Sequence, residues 1–179
     1  VIRRAGTVRR LRTAWASSNF RTSGTWAEVF GTTSQADEIF MAYHYAHYLD
    51  HVAAAGKREY NLPMFVNAWI VQPQDKAPGD YPSGGPQAHN HDIWRAVATN
   101  IDILAPDIYL PDFAGVANQY ARKGRPFFVP ESASGAAGAA NAFIAIGRFG
   151  SIGYSPFGVP RGDEAAGPFA DVDGVLCDM

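Results

Sequence analysis

The sequence predicts an α/β fold with a parallel sheet, on three observations. Apolar runs of strand length alternate with segments of helical periodicity. Strand starts recur roughly every 25 to 40 residues, the interval expected when about 250 residues make eight βα units closed into a barrel. Polar or aromatic groups also stand at the C-terminal end of every candidate strand, where the active sites of such barrels form.

The elements follow in chain order. Residues 1–24 carry six of the 15 basic residues, Arg3, Arg4, Arg9, Arg10, Arg12 and Arg21, with little periodicity. They read as a solvated or disordered basic leader, with a nucleic-acid arm as the weaker alternative. The stretch "TSQADEIFMAYHYAHYLDHVAAAGK" reads as a helix. Thr33 or Ser34 would cap it, Asp37 and Glu38 suit its positive end, and Gly56-Lys57 would stop it. Met41, Tyr45, Tyr48 and Val52 would form its core stripe.

Strands are expected over 62–71 ("LPMFVNAWIV"), 101–110 ("IDILAPDIYL"), 126–130 ("PFFVP") and 151–159 ("SIGYSPFGV"). Between them lie a Pro/Gly-rich loop, a helix near "HDIWRAVAT", a helix near "FAGVANQYARKG" and an Ala-rich helix over 137–148. Apolar strands of this kind suit a parallel sheet covered on both faces. The glycine-rich stretches "SGGPQ" and "SGAAGAA" contain neither GxGxxG nor GxxxxGK[ST], so a doubly wound nucleotide fold is the lesser reading. The organisation expected is a leader (1–24), a body (25–159) and an unassigned tail (160–179).

Composition narrows the class. The chain has 179 residues, 47% apolar and 18% charged, with a formal net charge of −2. That balance gives no reason to invoke nucleic acid or an anionic membrane surface as a partner. The single cysteine, Cys177, rules out an internal disulfide and a cysteine-based metal site. No apolar run reaches the roughly 18 residues of a transmembrane segment. "VIRRAGTVRRLRTAW" is basic but lacks the apolar stretch of a signal peptide, so the compartment stays open. The chain opens on Val1 and stops at "LCDM", which reads as a piece of something longer.

The candidate chemistry gathers at the strand ends. The run Phe127-Phe128-Val129 leads to a lone carboxylate, Glu131, which is costly to bury charged unless something pairs with it or uses it. Asn67 and Trp69 share one face of their strand, as do Asp107 and Tyr109, while Tyr154 and Ser155 lie in the fourth strand. One carboxylate among amide, phenol and indole groups suits sugar chemistry. The acid attacks an anomeric carbon, the polar groups hold hydroxyls and the indole stacks on a pyranose face. The plainer readings are an ion pair of Glu131 with Arg122, Arg125 or Arg148, and ordinary packing for Trp69 and Tyr109. For Asp107 the plainer reading is a cap or pairing at a strand end.

A second constellation is "HYAHYLDH", with His44, His47 and His51 at i, i+3 and i+7 on one helical face. Three imidazoles so spaced can bind zinc, but the pattern is not HExxH, and a partly exposed polar face explains it as well. His89 and His91 lie across an intervening loop that leaves their geometry open.

Several stretches together resemble a family: "GTWAEVFG", "ADEIFMAYHYAHYLDHVAAAGK", "MFVNAWIVQPQDKAPGDYPSGGPQAH", "IDILAPDIYLPDF" and "FFVPESASGAAGAANAF". They are similar to the bacterial β-galactosidase-like branch of glycoside hydrolase family 35, over about residues 24–159. The resemblance implies a partial (β/α)8 TIM barrel, approximately strands five to eight with their helices. It also implies a retaining hydrolase acting on terminal β-linked sugars, without cofactor or resident metal, on a galactoside-like substrate. By it Glu131 is the nucleophile at the seventh strand end, and Tyr109 matches the sixth strand end. Asn67 and Trp69 match the fifth, and Tyr154 the eighth. The family's acid/base glutamate lies in an Asn-Glu pair, and no Asn-Glu dipeptide occurs in this chain. The flanks of the nucleophile, Pro130 and Ser132, also depart from the family pattern, which leaves the sugar and linkage open. The chain alone is therefore expected to be an incomplete, inactive part of a glycosidase. The alternatives are a non-catalytic carbohydrate-binding relic and, more weakly, a zinc protein.

Overall fold

The structure, a computed structural model, describes residues 1–70, 76–158 and 167–169. Glu164 and Cys177, and with them most of the 160–179 tail, lie outside the described residues. The chain divides into two compact units. Residues 1–64 with 71–102 make the first, and residues 65–70 with 103–179 make the second.

The first unit is helical. It holds α1 (Ile2–Ala5), α2 (Arg9–Ala16), α3 (Trp26–Phe30) and α4 (Ser34–Glu59). After α4 the chain passes through β1 (Phe65–Trp69), which belongs to the second unit, and returns to the first in α5 (His91–Val97). The basic leader is thus not a disordered tail. Ala5, Val8 and Leu11 are buried, and α2 packs on α3, α4 and α5. Val8 and Leu11 sit three apart, one helical turn, so a short amphipathic stripe was present beneath the run of arginines.

Helix α4 starts where expected. Thr33 Oγ1 accepts from the Ala36 amide at 3.2 Å and satisfies one of the orphan N–H groups of the first turn. It does not stop at Gly56-Lys57 but runs to Glu59. Gly56 serves instead as a close-approach site, because a Cβ there would lie 3.0 Å from the Met64 Cε. Lys57 pairs with Asp102 at 2.6 Å. The expected core stripe is also corrected. Tyr45, Tyr48 and Val52 are 51%, 65% and 48% exposed, whereas Ile39, Ala42, Tyr43, Ala46 and Ala53 are buried. The buried face is mostly alanine because neighbouring chain approaches α4 closely. At Gly84 an added Cβ would meet the Met41 Cβ at 2.5 Å.

The second unit is a four-stranded parallel sheet with helices, in the order β1-β2-β3-β4. Its elements are β1, β2 (Ile103–Ile108), α6 (Phe113–Tyr120), β3 (Val129–Ser132), α7 (Gly135–Phe143) and β4 (Tyr154–Pro156). A π-helical turn, Ile144–Arg148, continues α7. The α/β class and the parallel strands are as the sequence predicts. The strands are shorter than expected, and the third is displaced: Phe127 and Phe128 precede it, and Glu131 lies inside it.

Strand β3 carries an irregularity. It pairs with β4 through Val129↔Tyr154 and Ser132↔Pro156, three residues against two. Pro130, which has no N–H to give a ladder, lies within that stretch. Val129 and Ser132 are both fully buried, and Ser132 Oγ donates to the Ile108 carbonyl at 2.7 Å. Glu131 is thereby turned to the opposite face. After β3 the small residues matter individually. Gly135 takes φ +73° at the start of α7, and a Cβ on Gly138 would lie 2.0 Å from the Ala133 carbonyl oxygen.

Candidate functional site

Register builds the site. Trp69 pairs with Asp107, and Asp107 pairs with Glu131, so the three form one row across β1, β2 and β3. Register partners of a parallel sheet point to the same face. Asn67, two residues before Trp69, joins that face, and Tyr109 extends it just past the end of β2.

Two hydrogen bonds tie the row together. Tyr109 Oη donates to Glu131 Oε1 at 2.7 Å. Asn67 Nδ2 donates to Asp107 Oδ1 at 2.9 Å. Among the described residues, Glu131 makes no ion pair, so the expected alternative of an arginine partner does not hold for them. What holds Glu131 is a phenol. Among the described residues, its second oxygen, Oε2, accepts no hydrogen bond.

The electrostatics follow from this crowding. Burial pushes the Asp107 pKa up, the neighbouring Glu131 charge adds to the rise, and the Asn67 amide partly opposes both, leaving it at about 6. Burial, then the hydrogen bond to Glu131 and its charge, raises the Tyr109 phenol above its ordinary value. Tyr109 therefore stays protonated and keeps donating. Trp69 is 40% exposed and Tyr109 44% exposed, so both present ring surface at the site. A partly exposed indole beside hydrogen-bonding groups is an amphipathic surface, apolar across its face and wet at its rim.

Tyr154 is placed elsewhere. Its hydroxyl donates to Ser132 Oγ at 2.9 Å, and its ring lies 6.2 Å from that of Phe169, at 27° between planes. It packs against Ala139 and Ala142 of α7. The register shift in β3 is the reason: it aligns Tyr154 with the buried Val129–Ser132 side, and alternation then gives the exposed Ser155 the opposite side. Tyr154 supports the sheet from the Val129–Ser132 side, and it is near enough to Tyr109 to add to the rise of that phenol's pKa.

The other glutamates are accounted for separately. Glu28 closes a capping box with Thr25 at the start of α3, a T-x-x-E pattern that was legible in the sequence. Glu59 ends α4. Glu38 is 1% exposed and is held by Arg10 Nη2 at 3.2 Å, Tyr81 Oη at 2.9 Å and His89 Nε2 at 2.9 Å. Burial would raise its pKa, but the His89 and Tyr81 hydrogen bonds and the His89 and Arg10 charges hold it down at about 2. Sequence reading missed this cluster because its members lie 28 to 51 residues apart.

The helix histidines form no cluster of metal-ligand type. Among the described residues, no group of three or more His, Cys, Asp or Glu side chains is arranged to hold a metal ion. His44 lies 4.3 Å from the Phe40 ring, and His47 stacks on Tyr43 at 6.4 Å. Among the described residues, no helix is long and apolar enough to cross a membrane.

No known family model matches the chain, and no curated protein matches it significantly. Fold and site together define an α/β protein whose parallel sheet carries a row of indole, carboxyl and carboxylate at the ends of its first three strands.

Proposed function

We propose that the sheet is the C-terminal half of a TIM-barrel catalytic domain of a retaining, β-galactosidase-like glycoside hydrolase, with Glu131 as nucleophile. The observation that carries this reading is the 2.7 Å bond from Tyr109 to Glu131 Oε1 beside the exposed ring of Trp69. A strand-borne carboxylate oriented by a phenol and, among the described residues, paired with no cation presents its second oxygen for attack. Glu131 Oε2 forms a bond to the anomeric carbon as the bond from that carbon to the leaving oxygen breaks. Water later cleaves the resulting ester and restores the carboxylate. Trp69 stacks on the ring, and Asn67 and Asp107 accept and donate to hydroxyls. The leaving oxygen needs a proton from a second carboxylic acid about 5 to 5.5 Å from the nucleophile. The resemblance puts that group in the preceding half of the barrel.

Activated sugars bypass the missing acid, because fluoride leaves without a proton. Incubation with 2-deoxy-2-fluoro-β-galactosyl fluoride should leave one sugar ester on the peptide containing Glu131, read by mass spectrometry, and none on Glu131→Gln. A folded chain that binds galactosides yet gives no ester would remove the nucleophile assignment.

The second reading is a carbohydrate-binding relic. It is favoured by the fate of the other described glutamates, which are used in a capping box, a helix end and a buried cluster. Binding of galactosides without trapping is its signature.

A further inference from the structure

The helical unit contains a cavity of about 810 Å³ that the sugar site does not use. That size is typical of small-molecule sites, which run from roughly 300 to 1,000 Å³. Its apolar wall includes Phe30, Ile39 and Tyr81, all buried. Its charged wall is unbalanced: among the described residues, Arg9, Arg10 and Lys76 line it against the carboxylate of Glu38.

The pairing within that wall decides which charges are available. Glu38 accepts from Arg10, Tyr81 and His89, so its own charge is fully engaged. Arg10 is engaged in turn, donating also to the Asn90 side chain. Among the described residues, Arg9 and Lys76 make no ion pair. Two exposed cations, without an ion pair among the described residues, thus stand at the rim of an open recess with apolar walls, a setting that concentrates anions.

We propose that this cavity binds a small amphipathic organic anion. Its oxyanion head meets Arg9 and Lys76, and its ring or short apolar part lies against Phe30 and Tyr81. Arg9 offers a planar fork suited to two oxygens, and Lys76 a point charge. The buried Glu38 holds Arg10, Tyr81 and His89 in place and gives the pocket a preformed wall, which spares the ligand an ordering cost.

The test uses the full chain and phenyl phosphate, followed by calorimetry and by NMR of the Arg9–Glu38 region. Phenyl phosphate should bind at least about tenfold more tightly than either inorganic phosphate or benzyl alcohol, and binding should weaken as salt rises. The double variant Arg9→Ala/Lys76→Ala should lose at least about tenfold in affinity with its unfolding midpoint unchanged. Undiminished binding by that variant overturns the site, as does the absence of any response to about 10 mM phenyl phosphate. Equal binding of inorganic phosphate overturns the amphipathic class.

Discussion

Tyr109 Oη donates to Glu131 Oε1 at 2.7 Å, joining the end of β2 to the bulged strand β3 across the open face of the sheet. The bond is the means by which a carboxylate with no arginine partner among the described residues is kept in one orientation. Replacing Glu131 by Gln removes the charge that favours the neutral phenol, while the burial of Tyr109 remains. In a spectrophotometric titration, the difference between parent and variant should show one of the eight tyrosines ionising at lower pH in Glu131→Gln. An unchanged tyrosine titration would mean that the two groups are not coupled in solution.

The same bond sets a kinetic expectation. A hydrogen bond to a charged group is worth about 1.5 to 3 kcal/mol, so Tyr109→Phe should slow formation of the fluorosugar ester by roughly tenfold or more. Trapping at the parent rate would reduce Tyr109 to a bystander.

Asp107 supplies a pH dependence. Its pKa is raised to about 6 from an ordinary value near 3.8, so between these values the folded chain holds more protons than the unfolded one. Its contribution is therefore present below about pH 4 and lost as pH rises through 6. At pH 7, Asp107→Asn should stabilise the chain by about 1 kcal/mol after allowance for solvent screening, and by nothing measurable at pH 4. Urea unfolding at both values checks the sign.

Glu38 has the opposite sign. Its folded pKa, about 2, lies below the ordinary 4.5, so its contribution is present above about pH 4.5 and lost as pH falls through 2. Glu38→Gln leaves Arg10 without its carboxylate partner, the case in which a broken buried pair costs about 3 kcal/mol. The variant should unfold at lower urea at pH 7 and should lose that deficit as the pH is taken down toward 2.

Gly138 reports on the loop that follows the carboxylate. A Cβ there would lie 2.0 Å from the Ala133 carbonyl oxygen and 3.0 Å from Phe169, so backbone must move. Gly138→Ala should cost about 2 kcal/mol, the range of overpacking, despite its better helix propensity. Thermal unfolding would show it as a lowered midpoint, and an unchanged midpoint would mean that the β3–α7 connection yields freely.

Much of the candidate site was legible. Alternation put Asn67 with Trp69 and Asp107 with Tyr109 because strand side chains repeat every two residues, a local property. The cap at Thr33 was legible for the same reason: it joins residues only three positions apart. The face of Tyr154 was not legible because it depends on the extra residue in β3, in a different strand. Pro130 was the available signal, since proline inside a strand suggests a bulge or an edge.

The sequence by itself determined the α/β class, the parallel strands and which residues could share a strand face, all consequences of short-range periodicity and backbone sterics. Tertiary structure alone decided that the arginine-rich leader is buried along Val8 and Leu11, and that α4 buries its alanines while Tyr45 and Tyr48 stay exposed. It also decided that Glu38, Arg10, Tyr81 and His89 meet. Burial and ion pairing belong to surfaces that come together from distant parts of the chain. The preference of a single side chain does not say which neighbour will be there to cover it.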